Sequence, residues 1–516
     1  MSDRVAPPSS ERSADPGRPD VVVVGSGPNG LAAAVLLSRA GLRVHVYEAA
    51  AEFGGGARTT ELMRPGVWHD ICSSVHPMGL ASPFFRAFDL AAHGVTMLQP
   101  EAAYAHPLDG GRAGVAWTDL DRTVDGLGAD GKRWRQLFAP LVSRWNDVAR
   151  MAMSDLRDPR QLVSPAAARF GLRVGVLGQR VLPVAFHRTV AGDMLTGVNL
   201  HGIVRPDAMA PTAVGLTLAL LAHAVGWPIP GGGSRAIVDA LVADIRRHGG
   251  HLYAGHRIDD VRDLPRSAAV VLNLTPAGVA RLAGPVLPDR YRQRLANYRY
   301  GAGSCKVDFL LSGAVPWSQP DCGRAGTLHL IGSRAEAVAV QRVVHSGSHA
   351  SRPYVLAVQP GVVDDSRAPA GLHVLSTYCH VPAGSTLDVS DSVTAQIERF
   401  APGFRDLVVD QRTLTAHQLA LHNENYVGGD ITSGELSLLQ TVRRPRPGLD
   451  PYATPVPGLY HCSAASPPGP GVHGMAGFHA ARRILRQHFR MMTDPLDLLR
   501  PAIPATAPTT EGRPRQ

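Results

Sequence analysis

Three glycine-rich stretches hold the residues best suited to chemistry. The first is Gly25-Ser26-Gly27-Pro28-Asn29-Gly30, followed by Glu48. Gly25 permits a tight turn, Gly27 lets a pyrophosphate approach the backbone, and Gly30 allows a helix to pack closely on a strand. Pro28 and Asn29 open that helix, whose N-terminus stabilises phosphate charge. Glu48 ends the next strand and can accept hydrogen bonds from a ribose diol. The second stretch, Glu52 to Thr59, follows at once and contains Gly55, Gly56, Ala57 and Arg58. The third is Gly471-Val472-His473-Gly474-Met475-Ala476-Gly477, which opens a helix near the other end of the chain. A flavin gains negative charge at its C2 carbonyl and N1 on reduction, and N–H groups at such a helix start would stabilise it.

Single side chains come next. Lysine occurs twice in the chain, at Lys132 and Lys306, against a total of 52 Lys and Arg. A compact ammonium does not interchange with a guanidinium. Lys306, in the strand pattern Gly303 to Phe309, therefore stands out as a candidate catalytic residue; a surface lysine, or one paired with Asp308, is the alternative. His473 stands beside the flavin by its neighbours, or is structural. His76 is a candidate substrate-side acid or base. Cys462 could attach a flavin covalently, although a buried strand cysteine is the ordinary reading. The five cysteines include no Cys-x-x-Cys pair, which argues against a dithiol centre or a zinc site. No metal is expected, and no Ser-His-Asp arrangement stands out.

Those residues need elements to position them. Asp20 to Val24 reads as a strand, Leu31 to Ala40 as a helix and Leu42 to Glu48 as a second strand, a complete βαβ unit. Ser234 to Arg247 reads as a helix with Ser234 as its cap. Strands are expected at 251–253, 269–274, 304–311, 355–359, 373–378 and 458–463. The chain returns to helix from Ile397, and a last helix runs from Gly474 to His488. Thr212 to Gly226 is apolar but shorter than the roughly 20 residues that cross a bilayer, so it reads as a buried helix or a lipophilic wall.

The Gly54 to Thr59 loop resembles the Gly-Gly loop of amine oxidase and phytoene desaturase flavoproteins, which lies against FAD phosphates. Many of those proteins have Gly-Gly-Arg there; here Gly56 takes the Arg place and Arg58 follows two residues later. Together with Gly66 to Asp70, Ser74 to Pro77, Asn423 to Asp430 and Thr454 to Ala481, these stretches resemble the phytoene desaturase and carotenoid isomerase superfamily. The likeness spans most of residues 20–490. Its closest branch is the one called pyridine nucleotide-disulfide oxidoreductase domain-containing protein 2. The resemblance implies FAD as cofactor, Ile258 in backbone contact with adenine and Thr275 near the same ring. In amine oxidases a similar strand carries a lysine that reaches flavin N5 through water, which is what the likeness implies for Lys306.

The expected fold class is α/β: a Rossmann-type FAD-binding domain of the glutathione reductase-like kind, interleaved with an α+β substrate domain. The FAD-binding parts are 20–90, 231–290 and 446–492. The substrate parts are 91–230, mostly helical, and 291–445, with a sheet. Residues 1–19 and 493–516 read as tails. The chain has 516 residues and a formal charge of +9. Its basic residues are scattered with no interleaved aromatics, which disfavours nucleic acid. The expected activity is hydride transfer from a lipophilic small molecule to flavin N5. A redox-neutral isomerase, an amine oxidase and a non-catalytic flavin-binding regulator remain open. The chain is expected in the cytoplasm, with peripheral membrane contact open and no transmembrane span.

Overall fold

The computed structural model describes residues 17–155, 165–176, 186, 189–206, 208–445, 448 and 450–500. Four consecutive valines, Val21–Val24, form the central strand of a five-stranded parallel sheet. The order across it is 459–461, 269–272, 21–24, 44–47, 251–253, with every pairing parallel. A parallel sheet is covered on both faces, so its inner strands carry uninterrupted apolar runs rather than alternation. Helices Pro28–Arg39, Arg235–Arg247 and Met475–Phe489 cover one face, burying Leu31, Val35, Leu241, Ile245 and Ile484 with Val21 and Val23. Helices Pro276–Ala283 and Asp289–Ala296 cover the other, with Val279, Leu282 and Leu295 against Val22, Val24 and Leu272.

A second sheet has seven strands in the order 408–414, 303–311, 373–381, 355–358, 325–330, 102–108, 112–117. Its only parallel pair is 102–108 with 325–330. Side chains alternate between the faces of a sheet, and here the two faces differ sharply. Cys305, Val307, Phe309, Leu375, Cys379 and Leu328 pack with Val393, Ile397 and Phe400 of helix Ser390–Phe400. The pairs Lys306 with Tyr378, Asp308 with Ser376 and Ser304 with His380 occupy the opposite face. Tyr104 and His329 share that face, and Gly197 of helix Thr189–Asn199 sits against His106 and His329.

The expected strands at 251–253, 269–274, 304–311, 355–359, 373–378 and 458–463 all appear, the first with the expected bounds and the others with shifted ends. The hairpin 102–108/112–117 and strand 325–330 were not legible. Ala102–Leu108 is buried throughout and reads AAYAHPL, lacking both alternation and β-branched residues. The stretch from 91, read as mostly helical, therefore opens with strands. Helix Ser390–Phe400 starts earlier than Ile397. Residues 494–500 are not tail: Arg39 donates to the carbonyls of Leu498 and Leu499, and Leu499 is buried. Arg18, placed in the N-terminal tail, donates to the Arg266 carbonyl. Residues 1–16 and 501–516 lie outside the described residues.

The uncharged segment forms helix Met209–Ala224, buried along most of its length. Among the described residues no helix is long and apolar enough to cross a membrane. Ser234 does not cap its helix. Its hydroxyl donates to the Ser73 carbonyl, and the helix start is held instead by Asp70 Oδ1, which accepts from Ser234 N at 2.8 Å, and Thr59 Oγ1, which accepts from Arg235 N at 3.0 Å. A neighbouring segment thus does the work expected of the local serine.

The polar face of the large sheet holds buried histidines. His201 and His329 meet at 2.8 Å between Nε2 atoms, and His380 Nδ1 lies 2.6 Å from Gln341 Nε2. Burial pushes His106 and His201 down to about 4 and His380 to about 3. Above the ordinary histidine value of about 6.5 both folded and unfolded chains are neutral at these positions, and no stability is lost. As pH falls from there toward 4, the unfolded chain takes up protons that the folded chain refuses, so stability falls. Urea unfolding at pH 7.5 and pH 5.0 should therefore show a lower midpoint at pH 5.0, with uptake of more than one proton on unfolding. Equal midpoints would show that these histidines are accessible in the native state.

Candidate functional site

The ends of strands 21–24 and 44–47 open into a cavity of about 410 Å³ that draws its walls from distant parts of the chain. Gly25, with φ at +93°, turns the chain out of the central strand, and the Asn273 side chain donates to its carbonyl at 3.2 Å. Gly27 then caps helix Pro28–Arg39 without any side-chain hydrogen bond to the helix start. The Glu48 carboxylate accepts from Ser26 N at 2.9 Å, Ser26 Oγ at 2.6 Å and Ala50 N at 2.9 Å. Ser26 Oγ in turn accepts from Gly54 N at 3.1 Å, so Glu48 and Ser26 tie the first glycine loop to the second. A Cβ on Gly55 would lie 3.1 Å from the Gly27 Cα, which places the two loops back to back.

Gly25, Gly27, Pro28, Asn29, Glu48, Gly55, Gly56 and Arg58 line the cavity at this end, and Ile258 and Thr275 line it beside Tyr47 and Arg281. Gly471, with φ at +130°, and Val472 line it as well. Both ends of the chain therefore meet in one cleft. Gly30, Ala57, Gly474 and Met475 lie behind the lining. A Cβ on Gly30 would overlap the Gly25 carbonyl, and one on Gly474 would press on Phe84 and Ala32. The space expected to admit a pyrophosphate at Gly27 is bounded on its Cβ side by Asn273, 2.8 Å from where that atom would be.

The histidine candidates sit elsewhere than the chemistry expected of them. His473 is fully buried; its Nδ1 accepts from Met475 N at 3.0 Å and its Nε2 faces the Gly469 carbonyl at 3.1 Å. Burial pushes it to about 4, so it is a neutral brace for its own loop. His76 is buried too, with Nε2 2.7 Å from Ser234 Oγ, and burial lowers it to about 4. Neither ring lines the cavity. Cys462 is wholly buried, as the ordinary reading of a strand cysteine has it.

Lys306 lies on strand Gly303–Leu311, is 6% exposed and donates to both carboxylate oxygens of Asp308. It is the buried, paired form of the alternative reading. Its charge nevertheless acts on Cys72 and His422, which both line the cavity. Arg58 donates to the Gly55 carbonyl at 3.0 Å and lies 2.7 Å from His422 Nε2. Burial first, then the nearby cations Arg58, Arg412 and Lys306, lower His422 to about 4, leaving it a neutral partner for Arg58.

Cys72, Ser73, Asn273, His422, Tyr426 and Ser463 also line the cavity and were not singled out from sequence. Asn423 to Asp430 did stand out as a stretch, and its place is now visible: Asn425 Oδ1 accepts from Thr275 N at 2.8 Å, and Tyr426 reaches across to Cys72 and Gly56. The Ser73 hydroxyl is buried in the wall without a protein partner. Glycines that leave room, an uncapped helix start, a ribose-type acid and an orphaned hydroxyl suit a dinucleotide such as FAD.

Comparison with known proteins agrees. Residues 23–90 match the family model described as NAD(P)-binding Rossmann-like domain. The rat pyridine nucleotide-disulfide oxidoreductase domain-containing protein 2 is 24% identical over 548 residues, covering 90% of this chain and 93% of its own. Hydroxyneurosporene desaturase of Cereibacter sphaeroides is 32% identical over 302 residues, covering 52% and 58%. A triple mutant of putrescine oxidase shares the fold with a TM-score of 0.57 at 17% identity, covering 91% of this chain and 99% of that one. Fold and cleft define an FAD-dependent oxidoreductase. The chain is similar to flavin oxidoreductases, a desaturase and amine oxidases among them.

Gly56 offers a direct check on the cleft. A Cβ there would overlap the Tyr426 hydroxyl, and crowding of this kind costs about 1–3 kcal/mol. Gly56→Ala should lower the thermal midpoint, and Tyr426→Phe, which removes the obstructing oxygen, should recover part of that loss in the double variant. Strictly additive midpoints would contradict the contact.

Proposed function

We propose that the cleft binds FAD along its length and that the protein dehydrogenates a lipophilic small molecule by hydride transfer. The observation that carries this reading is that one cavity joins the Gly25–Glu48 loop to the Gly471–Val472 loop. In this reading Glu48 holds the ribose, and Gly25 to Gly30 with the helix start face the pyrophosphate. Ile258 and Thr275 flank the adenine. Gly55, Gly56, Ala57 and Arg58 stand along the phosphates, Ala57 from behind the wall. Gly471 to Met475 turn the start of the last helix toward the flavin ring. When bound, FAD supplies a two-electron acceptor at N5. The chain supplies orientation and electrostatics: Arg58 holds a fixed positive charge in the wall, and Lys306 holds a second beneath it.

The lipophilic class is supported by the uncharged helix Met209–Ala224 and by the desaturase relative. The proposal includes a glutathione reductase-like subtype for the first unit, built from 20–90, 231–290 and 446–492, with 91–230 and 291–445 as the substrate unit. Amine oxidation is the second reading, favoured by the buried Lys306 beside the cleft.

Anaerobic mixing of the FAD-loaded protein with terpenoid or carotenoid alkenes, and separately with primary amines, distinguishes these readings. Bleaching of the flavin by alkenes alone supports the proposal, and bleaching by amines alone replaces it with the second reading. Product without net bleaching indicates isomerisation, and silence across both panels counts against catalysis. Glu48→Gln should weaken FAD binding at least about tenfold, since hydrogen bonds to a charged group contribute roughly 1.5–3 kcal/mol. Unchanged affinity by fluorescence titration would exclude Glu48 from the ribose.

A further inference from the structure

The lysine beneath the cleft is the end of a three-membered buried chain. Asp308 lies two residues along the same strand and the same face, 1% exposed, and accepts from Lys306 Nζ with both oxygens. On its other side Asp308 Oδ1 lies 3.1 Å from His69 Nδ1, which is also 3.1 Å from Ser376 Oγ. His69 comes from strand Trp68–Asp70, a separate part of the chain that leads directly into Cys72 and Ser73 of the cleft wall. The remaining nitrogen, His69 Nε2, is buried with no protein partner.

The other titratable groups facing this chain are Cys72 and His422 in the wall, Tyr378 across the strand from Lys306, and Arg412, exposed, across from Asp308. Asp308 is the only carboxylate among these neighbours. A buried ammonium is costly without a counter-charge, so Asp308 decides whether Lys306 can keep its proton. Burial alone would raise the Asp308 carboxyl, but Lys306 and then His69 hold it well below the usual range. The carboxylate is therefore charged at neutral pH.

We propose that Asp308, oriented by His69, is a positioning residue that keeps Lys306 protonated and fixed beneath the wall of the cleft. The proposal rests on the flavin-side reading of Lys306. His69 fixes the carboxylate from behind, and Asp308 fixes the ammonium in front of it. Neither His69 nor Asp308 touches the cofactor.

The test uses FAD-loaded protein and reads the flavin absorption spectrum against pH. The wild-type profile is the reference. In Asp308→Asn the lysine loses its counter-charge, and an ionisation should appear more than one pH unit below the ordinary lysine value of about 10.4. The Asp308→Asn/Lys306→Met double variant should lack it. His69→Gln keeps the carboxylate but loosens it, so it should show the same ionisation with a smaller displacement; this variant carries the test if Asp308→Asn does not fold. Flat profiles in the single variants, while Lys306→Met alone alters the spectrum, would overturn the positioning role and leave Lys306 beside the flavin. If Lys306→Met leaves both spectrum and reoxidation unchanged, the flavin-side reading of Lys306 itself fails, and the proposal with it.

Discussion

The structure depends on how closely two helices meet at Asn29. This residue opens the helix after the first glycine loop, and its side chain accepts from the backbone N–H of Ala476, 447 residues away in sequence. Gly477 permits the approach, since any Cβ there would overlap the Asn29 carbonyl. The start of the C-terminal helix is thereby fixed against the start of the N-terminal one. Both helices begin beside the same cleft, whose lining includes Pro28, Asn29, Gly471 and Val472. Gly474 and His473 serve that contact by shaping the loop that delivers Met475 to it.

The second sheet adds a different constraint. One face is hydrocarbon and sulfur against a helix, and the other carries lysine, aspartate, histidine and tyrosine while staying buried. Such a face persists only if its charges are paired and its rings neutral. The Lys306–Asp308 pair and the depressed histidines meet those conditions. Burial of this much polar chemistry next to a cofactor cleft fits a site whose charge is set by the fold rather than by solvent.

Much of this was legible in the residues. Val21–Val24, the glycine loop and Glu48 follow local rules of propensity and turn geometry, and they were found where those rules put them. The strand Gly303–Leu311 was visible because apolar and polar residues alternate along it. What escaped depends on distant partners. Ser234 sits where a cap belongs, but Asp70 and Thr59 from another segment hold that helix, which frees Ser234 to bond Ser73. His473 stands in a glycine motif but turns back into its own loop. Cys72 and Asn273 carry no local signature, and only the fold brings them to the wall. The alanine-rich strand Ala102–Leu108 is hidden because both its faces are buried.

The central claim is that one cleft, closed by both ends of the chain, holds FAD. The most direct measurement is the flavin content of the purified protein, read from its visible spectrum and from the nucleotide released on denaturation. The account predicts a yellow protein that releases one FAD per chain. A colourless protein that takes up no added FAD, or one that binds only a nicotinamide dinucleotide in that cleft, would contradict it.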